Sequence, residues 1–103
     1  MNNKVYGMIG LATRAGKVVS GEFSTEKAVK EKKAHLVIVA TDASDNTKKL
    51  FSDKTSYYKV PYRCFGTKAT LGGAMGKEFR ASIAVTDSNF AAQIMKHIDS
   101  LSE

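Results

Sequence analysis

The sequence predicts an α/β layered sandwich, because helical segments alternate with short β-rich runs along its length. The strongest strand signal is Leu36-Val37-Ile38-Val39-Ala40, an unbroken apolar run suited to a strand buried on both faces. The strongest helical signal lies near the end, where Phe90, Ile94, His97 or Ile98, and Leu101 fall on one face. Hydrophobic residues make up 43% and charged residues 25% of the 103 positions, an ordinary globular balance that suits a single domain, 1–103.

The elements follow in order. Val5, Met8, Ile9 and Ala12 recur at helical spacing, so residues 3–14 read as a helix. Gly7 and Gly10 weaken that helix and imply close packing against a neighbour. Ala15-Gly16 ends it, and Lys17-Val18-Val19-Ser20 has room only for a brief strand. Gly21 permits a sharp turn into a helix that runs to about Lys33, with Ser24 or Glu22 as its cap. After the Leu36–Ala40 strand, Asp42 or Ser44 caps a helix that continues through Leu50, Phe51 and Lys54 toward Tyr57.

Pro61, the only proline, lacks a backbone donor and suits the start or edge of the next strand, Tyr62 to Phe65. Gly66 leaves that strand, and Thr67 caps a short helix containing Leu71 and Met75. Ser82 to Val85 is the last strand. Thr86 or Asp87 caps the final helix. No repeat, linker or low-complexity segment interrupts the pattern.

Sixteen Lys and Arg against ten Asp and Glu leave a net charge of +6. With a pI near 9.5, a polyanion is the default partner. The charge is spread over predicted helices, including Lys30, Lys32, Lys33, Lys48 and Lys49, rather than gathered in a basic tail. The single cysteine, Cys64, excludes an internal disulfide and agrees with a reducing compartment. No signal-peptide pattern and no apolar run of about 20 residues appear, so a cytoplasmic location without membrane insertion is expected.

Chemistry-bearing residues collect in two stretches. From Gly21 to Lys27, a turn opens a helix whose free N–H groups attract anions. Glu22, Phe23, Ser24 and Lys27 belong to this start, and Lys30 falls on a similar face. The plain alternative is a capped amphipathic helix with solvated lysines. From Leu71 to Ala81, Gly72, Gly73 and Gly76 allow tight turns and close backbone approach ahead of Lys77-Glu78-Phe79-Arg80. Phe79 either stacks on an unpaired base or packs into the core, and Lys77 or Arg80 can meet phosphate. Arg14 and Lys17 flank the Ala15-Gly16 turn, close enough in sequence to share the face of the first stretch.

Leu11-Ala12-Thr13-Arg14-Ala15-Gly16-Lys17-Val18-Val19, Ser20 to Val29, Leu36 to Ser44 and Leu71 to Gly76 form an ordered set over nearly the whole chain. That set resembles the L-seven-Ae ribosomal protein family, which grips kink-turns in RNA, and is most similar to its small bacterial YlxQ-type members. The resemblance implies a four-stranded mixed sheet in a three-layer α-β-α sandwich.

It also implies that the Gly21–Lys27 segment corresponds to the family's Gly-x-Asn-Glu-x-x-Lys, which touches sheared G·A pairs. Gly21 and Lys27 match the ends of that pattern, whereas Phe23 and Ser24 stand at the Asn and Glu positions. Asn and Glu read base edges. Phe23 can only stack and Ser24 offers a short hydroxyl, so altered or weaker kink-turn selectivity is expected. In the family, the loop after the residue matching Gly76 lays apolar side chains against the extruded nucleotide.

Catalytic readings find little support. His35 and His97 share no motif with Cys64, no zinc spacing exists, and neither Gly66-Thr67-Lys68 nor Gly72-Gly73 matches a phosphate loop. The Asp42–Lys49 stretch lacks the Gly and terminal Glu of a calcium loop, which leaves helix capping as its reading. The sequence therefore points to a non-catalytic protein without metal or cofactor. Its expected partners are structured RNA, a kink-turn or ribosomal RNA, and ribosome- or translation-associated proteins. The rival expectation is a protein-interaction module of the translation machinery that has lost kink-turn readout.

Overall fold

A computed structural model describes residues 3–101, and the expected domain limits at 1 and 103 lie outside them. The elements are α1 (Asn3–Arg14), β1 (Val18–Ser20), α2 (Glu22–Lys30), β2 (Leu36–Val39), α3 (Asp45–Tyr58), β3 (Tyr62–Cys64), α4 (Lys68–Ala74), β4 (Ser82–Val85) and α5 (Ser88–Ser100). The four strands form one sheet in the order β1-β4-β2-β3. Strands β1 and β2 pair antiparallel with β4, with Val19 and Val37 both opposite Ala84. Strand β3 pairs parallel with β2, with Val39 opposite Cys64.

Helices α2 and α3 pack together on one face of the sheet, while α1, α4 and α5 associate on the other. Every residue of β2 and β4 is consequently buried, as the apolar run at Leu36 requires. The sheet is filled out by Val5 and Ile9 of α1, Val29 of α2, Phe51 of α3, Leu71 of α4 and Ile94 of α5. This is the expected three-layer α-β-α sandwich with a four-stranded mixed sheet.

Capping decides where the helices begin. Ser44 Oγ accepts from Thr47 N at α3, and Asp87 Oδ2 accepts from Phe90 N at α5. Thr67 and Thr70 satisfy each other's backbone N–H groups at α4. Asp42 is not a cap of α3. Its carboxylate accepts from Lys68 N at 2.8 Å and fastens the start of α4 to the turn after β2.

Several expectations are corrected. Helix α2 carries no side-chain cap: Gly21 holds the N-cap position at φ 91°, and Ser24 and Glu22 lie inside the helix. The helix stops at Lys30 instead of Lys33. Lys33 N and Ala34 N both turn back to Ala28 O, so that His35 N can reach Val85 O. Leu101 follows α5 and is half exposed, leaving Ala91, Ile94 and Ile98 as the buried face. Gly10 approaches a neighbour, since a Cβ there would lie 3.1 Å from Ala74 O, but Gly7 faces open space.

Candidate nucleic-acid interface

Strand direction assembles the site. Because β1 and β2 oppose β4 and β3 follows β2, the first three strands all run the same way. Helices α2, α3 and α4 each follow one of these strands, so their N-termini open at one rim of the sheet, beside the start of β4. Helix N-termini carry partial positive charge and free N–H groups. At α2 those groups have no side-chain acceptor.

Hydrogen bonds then tie the loop before β4 to this helix start. Gly21 N donates to Ser82 O at 3.0 Å. Arg80 Nε donates to Ser20 Oγ at 2.9 Å, and its Nη1 donates to Phe79 O at 2.7 Å. The Arg80 backbone N–H reaches Lys68 O at 3.0 Å. Lys77 N donates to Gly72 O at 2.8 Å, folding the loop back over α4. A Cβ on the buried Gly72 would overlap the Glu78 carbonyl, so only glycine admits the loop there. Gly76 enters the loop at φ 74°.

The two stretches singled out in the sequence therefore meet. Phe23 is 78% exposed and Phe79 65% exposed, which settles both rings as surface groups. Glu22, Ser24, Lys27 and Lys77 are exposed as well. Lys27 has no ion pair among the described residues, whereas Lys30 Nζ sits 3.3 Å from Glu26 Oε2. Arg80 is half buried, and two of its guanidinium nitrogens bond within the protein.

Arg14 and Lys17 do not join them. Lys17 O accepts from Thr86 N beyond the end of β4, while Gly21 bonds at the beginning of β4. Four residues of extended chain, roughly 13 Å, separate the two. Nearness in sequence misled here because the intervening residues form a strand. Arg14 and Lys17 belong to the opposite rim, where α2 and α3 end near Lys32 and Lys59.

Sequence reasoning missed the roles of Ser20, Asp42 and Gly72. Ser20 and Asp42 act through partners 60 and 26 residues away, which leave no local signature. The Gly72-Gly73 pair was a visible signal, but only the packing shows which glycine is crowded. Among the described residues, no group of three or more His, Cys, Asp or Glu side chains could hold a metal ion, and no helix is long and apolar enough to cross a membrane.

The profile of the family described as ribosomal protein L7Ae/L30e/S12e/Gadd45 matches residues 3–96. The chain belongs to that family. It is 46% identical to the RNA-binding protein YlxQ of Bacillus subtilis (strain 168) over 94 residues, covering 91% of this chain and 94% of that one. It is 36% identical to large ribosomal subunit protein eL30 of Methanoregula boonei over 72 residues, covering 69% and 71% respectively. Among solved structures, a protein with unknown function from Bacillus halodurans C superposes with a TM-score of 0.92 at 37% identity, covering 95% of this chain and 99% of that one. The family and the two named relatives are ribosomal and RNA-binding proteins rather than enzymes, and the chain is a non-catalytic member.

Proposed function

We propose that this chain binds structured RNA at the rim formed by the start of α2 and the loop before β4, and that its ligand is a kink-turn or a kink-turn-like internal loop. The observation that carries the reading is the Arg80–Ser20 bond, which holds the exposed Phe79 beside the uncapped N-terminus of α2. A helix start attracts phosphate, an exposed ring stacks on an extruded base, and Lys27 adds an unpaired cation one turn inside the helix. Family membership and the 46% identity to an RNA-binding protein support the same conclusion. The eL30 relative makes ribosomal RNA a fitting source of such a motif. The sheet serves as a rigid support, and binding favours a kinked form that the RNA already samples.

The experiment is a titration at near-physiological salt, with competitor RNA, against a kink-turn RNA and against the same RNA with its tandem G·A pairs replaced by Watson–Crick pairs. Preference for the intact kink is expected. Equal weak binding to both would remove kink-turn recognition and direct attention to the second reading. In that reading, the exposed Phe23 and Phe79 anchor a protein of the translation machinery.

A further inference from the structure

Helix α2 begins with its polarity inverted. Its buried face is set by Thr25, Ala28 and Val29. Phe23 projects roughly 120° or more away from each of them by helical geometry. The aromatic ring thus stands in solvent at 78% exposure, while the Thr25 hydroxyl is fully buried with no hydrogen-bond partner. Folding alone favours the reverse arrangement, because burying a phenylalanine contributes and burying an unpaired hydroxyl costs. Such a breach of local consistency is characteristic of a functional position.

The surroundings indicate what the ring is for. Phe23, Lys27 and Glu31 form a ridge along the outer side of α2, with grooves of about 300 Å³ and about 250 Å³ on its two flanks. Lys27 follows one turn after Phe23, about 6 Å along the axis. It has no ion pair among the described residues. Phe23 belongs to the first turn of α2, whose N–H groups have no side-chain cap. An exposed π-face, a free cation and open backbone donors within one helical turn match the base and phosphate of a single nucleotide.

We propose that Phe23 is a stacking platform for an unpaired nucleobase. The inference rests on the RNA-binding reading above and narrows it. The ligand presents two unstacked bases, one on Phe23 and one on Phe79 in the loop, with the backbone next to the first base reaching Lys27. Stacking takes the place of edge recognition at the position where the family pattern has Asn.

The test uses the full chain and internal-loop RNAs with 2-aminopurine placed at each unpaired position in turn. The wild type is expected to change the fluorescence of one position through Phe23 and of another through Phe79. Phe23→Ala is expected to abolish the first response alone and to weaken binding about 5- to 150-fold. Phe23→Tyr is expected to retain both. Because the ring is exposed, an unchanged thermal melt of Phe23→Ala separates loss of contact from loss of fold. If Phe23→Ala binds structured RNA with wild-type affinity and the same fluorescence pattern, the inference is overturned, the RNA reading stands, and Phe23 is left to a protein partner. If the wild type shows no preference for any structured RNA over duplex, both are overturned together.

Discussion

Arg80 Nε donates to Ser20 Oγ across 2.9 Å, joining the loop before β4 to the last residue of β1, sixty positions earlier. The same guanidinium holds the Phe79 carbonyl, so one side chain sets the spacing between the α2 start and the exposed Phe79 ring. Ser20→Ala removes the acceptor and is expected to cost about 1 kcal/mol in chemical denaturation. Arg80→Lys keeps the charge but loses the planar fork. Both variants should lose affinity for kinked RNA while their weak binding to plain duplex stays constant. Parallel loss on both RNAs would make Arg80 a phosphate contact instead of a strut.

Gly72 and Gly73 are adjacent in α4 yet should respond oppositely to alanine. A Cβ on Gly72 meets the Glu78 carbonyl, backbone that cannot give way without moving the loop. Gly72→Ala is expected to destabilise the protein by about 1–3 kcal/mol, as overpacking does. Gly73 meets nothing within 4 Å, so Gly73→Ala should be neutral or stabilising by up to about 1 kcal/mol. Urea denaturation of the two variants side by side checks this.

Lys27 and Lys30 differ in what already neutralises them. Lys30 shares Glu26 with Lys54, at 3.3 Å and 3.6 Å, whereas Lys27 has no acidic partner among the described residues. Lys27→Ala should therefore reduce the slope of log affinity against log salt by about one phosphate contact. Lys30→Ala should change the slope less. Binding measured across a salt series distinguishes them.

Arg63 fastens edge strand β3 to the end of α5 through both Asp99 oxygens, at 2.7 Å and 3.0 Å. The hydrogen bond from Arg63, with the guanidinium charge adding to it, lowers the Asp99 carboxyl below its ordinary value. A lowered folded-state value means that the pair stabilises the protein above the ordinary aspartate range, near about 3.9, and ceases to do so as pH falls through the lowered value. The wild type should melt above Asp99→Asn near neutrality, and the gap should close as the solution is acidified below that range. A constant gap across the acid limb would show that the pair contributes nothing through charge.

The layers of this fold were legible because they are written in local patterns. Leu36 to Ala40 carries its burial on its face, and Ser44, Thr67 and Asp87 mark helix starts by chemistry that acts within three residues. The membership of Gly21, Phe23, Lys27 and Phe79 in two candidate stretches was equally local. Their juxtaposition was not. Only the common direction of β1, β2 and β3 brings three helix starts to one rim, and only the Arg80–Ser20 bond sets the loop against α2.

By itself the sequence determined the element types, the buried central strand and the basic, cysteine-poor character of the chain. Each follows from propensity, period or composition over a few neighbouring residues. Tertiary structure decided which way Phe23 and Phe79 face, which of two glycines is crowded, and that Arg14 and Lys17 lie at the far rim. Those facts depend on contacts between residues far apart in the chain, and no local pattern encodes where a partner sixty residues away will stand.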